Sequence, residues 1–505
     1  MAKIYGCGWE MNTPNGGFDT PFTKVVNGSA TITISSTIKN QINNIGGKYS
    51  VKLADSGTAG SAYYLIQWRS VADGSSNGPF YFRFYLRCDA APSMDNPILY
   101  LLPHSGGGST LRGALVLNSA GALELWDNNS QIGSDSSSIL NDGTFHCIEM
   151  YFKNNVTNMA LEMRVDGVVA ATGTTTDSIG GIGSLNLGHV ALAAGTNYVL
   201  YLDDFIIDDA AYPGPGVQII LRPNAAGDTN NLSSGTGQTF AEFDEETPDD
   251  GTTYSTLPSN NNTVFFKIDD PSVQGMGPSD TINVIMVGYR WKADTTGTCS
   301  LAAGIKSQVS GTIAYGTTVL TSVTAKYYSN YGADPNSQAE KYYCISATDP
   351  QVGGVWTRAL LQTTQIGIKA VDADPDIDIS TIWALVDFVP STVTQGTVDV
   401  IDPEHGTTTA TPAGPGTDHT GFVYRTCTDI PLTIGANGVT SVDTTGLTEA
   451  QVIQIQGLIP GCTVSVAPYY QQGSTTVYGS TTTSSTPTPA TASDTRGCAM
   501  LGGII

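Results

Sequence analysis

Charge is what this sequence has least of. Only 13% of its 505 residues are Asp, Glu, Lys or Arg, about half of the ~25% usual in soluble domains. Glycine (57 residues), threonine and serine fill the space, so solubility rests on hydroxyls and amides, as in β-rich proteins exposed outside cells. Positive charge is scarcer still. Against 45 Asp and Glu stand 22 Lys and Arg, a net charge of −23 that repels phosphate backbones and anionic lipid heads and argues against nucleic acid as a partner. No run of about 18 apolar residues is present, so no membrane-inserted helix is expected. The opening Met1-Ala2-Lys3-Ile4-Tyr5-Gly6-Cys7 lacks the apolar core of a signal peptide, which predicts assembly in a cytoplasm rather than general secretion. Cysteines 7, 88, 147, 299, 344, 427, 462 and 498 stand singly, in neither a zinc pattern nor a small disulfide framework, so reduced buried thiols are expected.

Catalytic motifs are missing as well. The five histidines (104, 146, 189, 405 and 419) never fall at metal-binding spacing, and His146 beside Cys147 reads as a core or interface residue. Gly74-Ser75-Ser76-Asn77-Gly78 spells a nucleophile elbow, but that motif needs a strand before it and a helix after it. Here a strand-like run follows, so a loop is predicted. A glycanase needs two carboxylates about 5–10 Å apart, hence alternate positions on one strand. Glu124-Leu125-Trp126-Asp127 and Glu149-Met150-Tyr151 lack that spacing. Asp372, Asp374, Asp376 and Asp378 alternate as calcium-loop acids do, without the Gly and Glu that a hand-type loop requires; a solvated acidic loop is expected. No phosphate loop or dinucleotide fingerprint occurs, so the chain is expected not to be an enzyme.

What is abundant is strand. Tyr63 to Trp68 and Phe80 to Arg87 are dense in aromatics, with Arg83 and Arg87 on the parity expected to be wetter. Gly113 to Leu117 and Ala122 to Trp126 form a predicted hairpin. Residues 1 to about 30 read as an irregular arm anchored by Trp9, Met11 and Phe22. In Tyr198 to Asp208 apolar residues occupy both parities before Asp203, which predicts a strand buried on both faces and therefore a layer on each side of it. Asp203 and Asp204 close its apolar part. They are the calcium candidates, since hard cations take oxygen ligands; the alternative is that they stop the strand and face water. Calcium is the only cofactor that enters, and none is required.

The order Asp142-Gly143-Thr144-Phe145-His146, Val165-Asp166-Gly167, Leu187-Gly188 and Asp203-Asp204-Phe205 resembles the C-terminal half of a laminin-G-like, concanavalin A-type jelly roll, covering Phe18 to Asp209. Phe145 stands where that family often has Trp, and should fill a core site. The Glu-x-Asp-x-x-Glu run of the family's glucanase members is absent. The resemblance implies a fold that hosts lectins, glycanases and plain interaction domains alike.

At this length about three domains are expected. Residues 1–211 form the jelly roll, ended by Tyr212-Pro213-Gly214-Pro215-Gly216, where Pro stops pairing and Gly permits redirection. Residues 217–390 form a second β-sandwich whose one helical candidate is 355–362. Residues 391–417 read as a linker, and 418–482 as a small domain whose Gly457-Leu458-Ile459-Pro460-Gly461 turn resembles those of fibronectin type III and Ig-like modules. A Thr/Pro-rich tail, 483–505, ends in an apolar tip. The predicted fold class is therefore all-β: tandem β-sandwich and jelly-roll domains with a small C-terminal Ig/fibronectin III-like β domain.

The jelly roll together with the acidic run Phe243 to Asp250 and the late segment Trp356 to Lys369 resembles virion or tail-associated proteins of tailed phages. That resemblance implies a non-enzymatic structural protein of a phage virion: tail-associated, fibre-like or a capsid decoration. Its partners would be copies of itself in a homo-oligomer, other virion proteins and host-surface glycan, and sparse charge suits such contacts. A carbohydrate-binding, lectin-like protein is the rival reading, and a polysaccharide-degrading enzyme the third.

Overall fold

The computed structural model describes residues 3–10, 22–42, 45–54, 60–67, 77–103, 111–137, 140–155, 157–176, 180–192, 198–235, 239–246, 253–258, 261–293, 298–308, 311–316, 319–322, 328–329, 344–374 and 376–391, and, as strand backbone, 395–400, 405–410, 419–426, 440–443, 451–456, 463–472, 475–478 and 482–485. It is all-β, with sheets paired into sandwiches. No helix among the described residues is long and apolar enough to cross a membrane.

The first sandwich pairs an eight-stranded with a seven-stranded sheet. The eight-stranded sheet runs Val168–Thr175, Met159–Val165, Phe145–Asn154, Phe80–Cys88, Val199–Asp208, Ser50–Ala54, Thr31–Ser35, with Lys3–Cys7 also pairing to Val199–Asp208. The seven-stranded sheet runs Gln131–Ile132, Leu123–Trp126, Gly113–Leu117, Asn96–Leu102, Ser184–Leu192, Gly60–Gln67, Phe22–Asn27. Strand alternation puts Phe82, Phe84, Ile148 and Met150 of one sheet and Leu99, Leu125 and Leu187 of the other into a common core. The N-terminal segment departs from the expected irregular arm: Lys3–Cys7 and Phe22–Asn27 are strands, one in each sheet, and Trp9 between them is fully buried. A backbone lying along a sheet satisfies its N–H and C=O groups there, which loops over a surface do not. Phe145 is half-buried, not the core residue expected.

A second pair of sheets follows the Pro/Gly joint. One centres on Ile377–Val389, flanked by Thr281–Ala293 along its length and by Val217–Leu221 and Ser255–Leu257 on its other side. The other runs Pro223–Asn230, Thr263–Ile268, Gln365–Asp374, Thr298–Lys306, Ile313–Tyr315. The expected helical turn is Arg358–Leu361, started by Thr357, whose hydroxyl accepts from Leu360 N at 3.2 Å.

The joint separates sheets but not cores. Ile220, Val284, Met286, Trp383 and Leu385 of the second sandwich belong to the same buried cluster as the first, and Met1–Pro390 is one compact unit. This fusion overturns one expectation: Arg83 does not face water. It is 0% exposed, because Ile377–Val389 covers the outer face of Phe80–Cys88 there, while Arg87 near the strand end stays half-exposed beside Asp89.

Ser391–Ile505 forms a second unit. Gln395–Val400, His405–Ala410 and Gln451–Gln456 make a three-stranded sheet, and Thr440–Asp443, His419–Thr426, Thr463–Gln472, Thr475–Tyr478 and Thr482–Ser485 a five-stranded one. Two of these strands lie inside the stretch 391–417 expected to be a linker; they pair from Gln395 onward. The Gly457–Cys462 turn and the tail beyond Ser485 lie outside the described residues.

Candidate functional site

Asp203 and Asp204 sit inside a strand rather than at its end. Val199–Asp208 runs past them through a bulge between Asp203 and Ile206, and Asp204 adopts φ 47°, a left-handed conformation that Asp tolerates better than most residues. Every residue from Leu200 to Asp208 is buried, as the apolar run on both parities predicted. The two acids are each 1% exposed, so neither faces water. Asp203 accepts from Asn40 N at 2.8 Å and from Asp204 N at 2.9 Å; Asp204 accepts from Asn40 Nδ2 at 2.6 Å and from Gln218 N at 2.8 Å. All four oxygens thus face N–H donors, where a calcium ion would need those lone pairs. No group of three His, Cys, Asp or Glu able to hold a metal stands among the described residues. Burial, the neighbouring Asp204 charge and Glu10 push Asp203 well above the usual carboxylate range. Burial pushes Asp204 up to about 7, with Arg83, Asn40 and Gln218 pulling the other way.

These acids belong to a polar seam between the sandwiches. Arg83 pairs through Nη2 with Asp387, both side chains 0% exposed, and donates to the carbonyls of Asp204 (3.2 and 3.3 Å) and Gly214 (3.2 Å). Asp387 also accepts from Asn283 Nδ2 at 2.9 Å. Burial works against the Arg83 charge, and Asp387 outweighs it, holding the guanidinium above its ordinary range. Gly216 N donates to the Tyr85 hydroxyl at 3.1 Å and Gly214 N to Glu149 at 2.8 Å, fastening the Pro/Gly joint to the sheet. Farther along, Arg222 donates to the carbonyls of Glu10 (3.1 Å) and Glu245 (3.2 Å), and the Tyr49 hydroxyl to Glu246 at 2.6 Å.

Beside the joint lies a half-buried tyrosine cluster. Tyr81 is 5.0 Å from Tyr151 and 4.9 Å from Tyr212, ring centre to ring centre. The Tyr212 hydroxyl donates to Glu162 at 2.9 Å, and Arg164, bonded to the same carboxylate at 2.7 Å, lies 3.7 Å over the Tyr212 ring. The cluster anchors the first residue of the joint with stacking and one charge-assisted bond.

The remaining acids are similarly occupied. Glu124 accepts from Asn118 Nδ2 at 3.1 Å and Trp126 Nε1 at 2.7 Å, and Asp127 from Thr175 Oγ1 at 2.7 Å and the Asn129 and Ser130 amides. Asp378 is buried and accepts from Thr256 Oγ1 at 2.7 Å, so the expected solvated acidic loop is at that position part of a sheet. His146 lies at a rim, its side chain 14% exposed, with Nδ1 2.7 Å from Asp166 and Nε2 3.3 Å from Asp142. His189 is buried against Tyr198, ring centres 4.5 Å apart. Cys7, Cys88, Cys147 and Cys344 are buried free thiols, as expected of those four; burial pushes Cys147 up to about 12. His104 and Gly74-Ser75-Ser76 lie outside the described residues.

Asn40, Gln218, Asp387 and Glu162 drew no attention in the sequence, and Tyr212 did so only as the start of the Pro/Gly joint. Single polar residues carry no periodic signal, and their partners come from elements far away in the chain; Arg83 and Asp387 are 304 positions apart.

No family model matches the chain, and no curated protein does. Solved structures do match. Domain 4 of AbnA, a GH43 extracellular arabinanase from Geobacillus stearothermophilus, in complex with arabinotriose, is 15% identical over 42% of this chain and 94% of that one, with a TM-score of 0.28. A protein of unknown function from Shewanella oneidensis MR-1 is 14% identical over 42% and 88%, TM-score 0.29. A Trypanosoma rangeli sialidase mutant is 14% identical over 37% of this chain and only 31% of its own, TM-score 0.25. Matches at this level of identity and overlap bear on no functional question.

Proposed function

We propose that the protein is a non-enzymatic structural component of a bacteriophage virion, tail-associated, fibre-like or a decoration, that meets copies of itself, other virion proteins and host-surface glycan. The observation that supports this reading best is the seam: two sandwiches share one buried cluster and one polar network, a build suited to holding a surface at a fixed angle on a particle. The acids considered for catalysis or calcium, Glu124, Glu149, Asp203 and Asp204, accept hydrogen bonds from neighbouring N–H groups, which favours a structural over a hydrolytic role. Mass spectrometry and electron microscopy of purified particles test it. Multiple symmetric copies per virion are expected, and absence from purified virions would overturn the reading. A second reading, a carbohydrate-binding protein, is favoured by the half-buried rings of Trp126 and Tyr100, which stand on the outward face of the seven-stranded sheet with Ala114 between them.

A further inference from the structure

The ring of His146 stands between two acids at one rim of the first sandwich. Its Nδ1 atom is 2.7 Å from Asp166 Oδ2, and its Nε2 atom is 3.3 Å from Asp142 Oδ1. A carboxylate oxygen only accepts, so both contacts are hydrogen bonds at once only when both ring nitrogens carry hydrogen, in the imidazolium form. Histidine is the side chain that gains and loses that second proton near neutral pH.

The two acids are held differently. Asp166 is pinned whatever the ring does, because its N–H donates to the Cys147 carbonyl at 2.8 Å and its Oδ1 accepts from Cys147 N at 2.9 Å. Asp142 lies in the turn that leads into Phe145–Asn154. Among the described residues its donors are the ring and Thr144, which gives both its amide (2.9 Å) and its hydroxyl (2.8 Å) to Oδ1. Burial raises the Asp142 carboxyl, and these bonds outweigh it, holding the group below its ordinary range. The same Thr144 hydroxyl is 3.2 Å from His146 Nε2, so a second acceptor is within its reach once that nitrogen is bare. Arg87 and Asp89, at the end of the neighbouring strand Phe80–Cys88 and beside Gly143, pair with each other at 2.8 Å.

We infer that His146 is a pH-sensitive clip for the Asp142–Thr144 turn. As imidazolium the ring bridges Asp142 and Asp166 and holds the turn against the Asp166-Gly167 hairpin. When Nε2 releases its proton to solvent, Nδ1 keeps its hydrogen on Asp166 and the Thr144 hydroxyl turns to Nε2. Asp142 is left with the Thr144 amide as donor and a ring lone pair facing it, and the turn loosens. The inference goes beyond the virion reading and does not depend on it.

The full chain, labelled with carbon-13 at histidine Cε1, is followed by NMR from about pH 5.5 to about pH 8, and amide hydrogen exchange is read by mass spectrometry at both ends of that range with intrinsic rates corrected. The signal lost in His146→Gln is that of His146; where that variant fails to fold, the signal displaced in Asp142→Asn identifies it. The His146 signal should move from the charged to the neutral position, and protection of residues 140–147 should fall about twofold to fivefold, a surface-pair effect because the two acids are 47% and 50% exposed. Asp142→Asn keeps the side-chain shape and offers the neutral ring a donor, so the fall should vanish in it. Asp204 responds over an overlapping range but belongs to the seam, so only a change local to 140–147 counts. A His146 signal that stays in place, equal protection at both ends of the range, or a fall that persists in Asp142→Asn would each overturn the inference.

Discussion

Asp387→Ala is the sharpest test of the seam. The change removes a carboxylate that is 0% exposed and leaves the Arg83 guanidinium, also 0% exposed, with only the carbonyls of Asp204 and Gly214. Asn283 Nδ2 loses its acceptor as well. Stranding one member of a buried ion pair costs about 3–5 kcal/mol, more than the pair itself contributes, because the remaining charge keeps its desolvation penalty. For a unit of 390 residues the unfolding entropy is about 0.8 kcal/mol/K, so the loss amounts to about 4–6 °C in Tm. Differential scanning calorimetry of the full chain measures it, with tryptophan emission following Trp383 and Trp291, both buried in the second sandwich. The double variant Arg83→Met with Asp387→Leu removes both charges and should recover most of the loss. A Tm for Asp387→Ala within about 1 °C of wild type, or a double variant no better than the single one, would refute the claim that a buried charge pair holds the sandwiches together.

Three further outcomes follow from the same geometry. Asp204 is raised from 3.8 to about 7, so its protonated form is favoured in the fold; that contribution is complete below about pH 4 and is lost as pH rises through about 7. Tm should therefore fall between these values, and Asp204→Asn, which keeps the shape and tolerates φ 47°, should flatten the slope; an unchanged profile counts against the assignment. A Cβ at Gly288 would lie 2.4 Å from Trp383 Cε2 across the strand pair, so Gly288→Ala should cost about 1–3 kcal/mol in urea unfolding, and a neutral result would mean that Trp383 moves freely. A calcium chelator should leave Tm unchanged, since the Asp203 and Asp204 oxygens already accept from N–H groups; a reversible drop abolished by Asp203→Ala would restore the calcium reading.

Much of the fold was legible because strands announce themselves by period. Apolar residues on both parities of Tyr198 to Asp208 meant two covering layers, and the structure has them: the first core on one side and Val217–Leu221 with Ile377–Val389 near the other. The hairpin of Gly113–Leu117 and Leu123–Trp126 was legible for the same reason. Lys3–Cys7 was not, since it is five residues long and contains a glycine, too short for a period-two pattern to stand out.

The misreadings at the seam share one cause. Period gives the face of a strand on which a residue sits; it does not give what covers that face. Arg83 was correctly placed on the outer parity of Phe80–Cys88, and outer was equated with wet. The equation fails where a second sandwich lands, and the landing is specified by polar residues in four separate segments: Asn40, Asp204, Gln218 and Asp387. Of these only Asp204 stood out in the sequence; Asn40, Gln218 and Asp387 are unremarkable polar residues, each in its own window. Together they keep Asp203, Asp204 and Asp387 out of water, so the residues that looked most like a metal site in the sequence are ones the fold uses to join its halves.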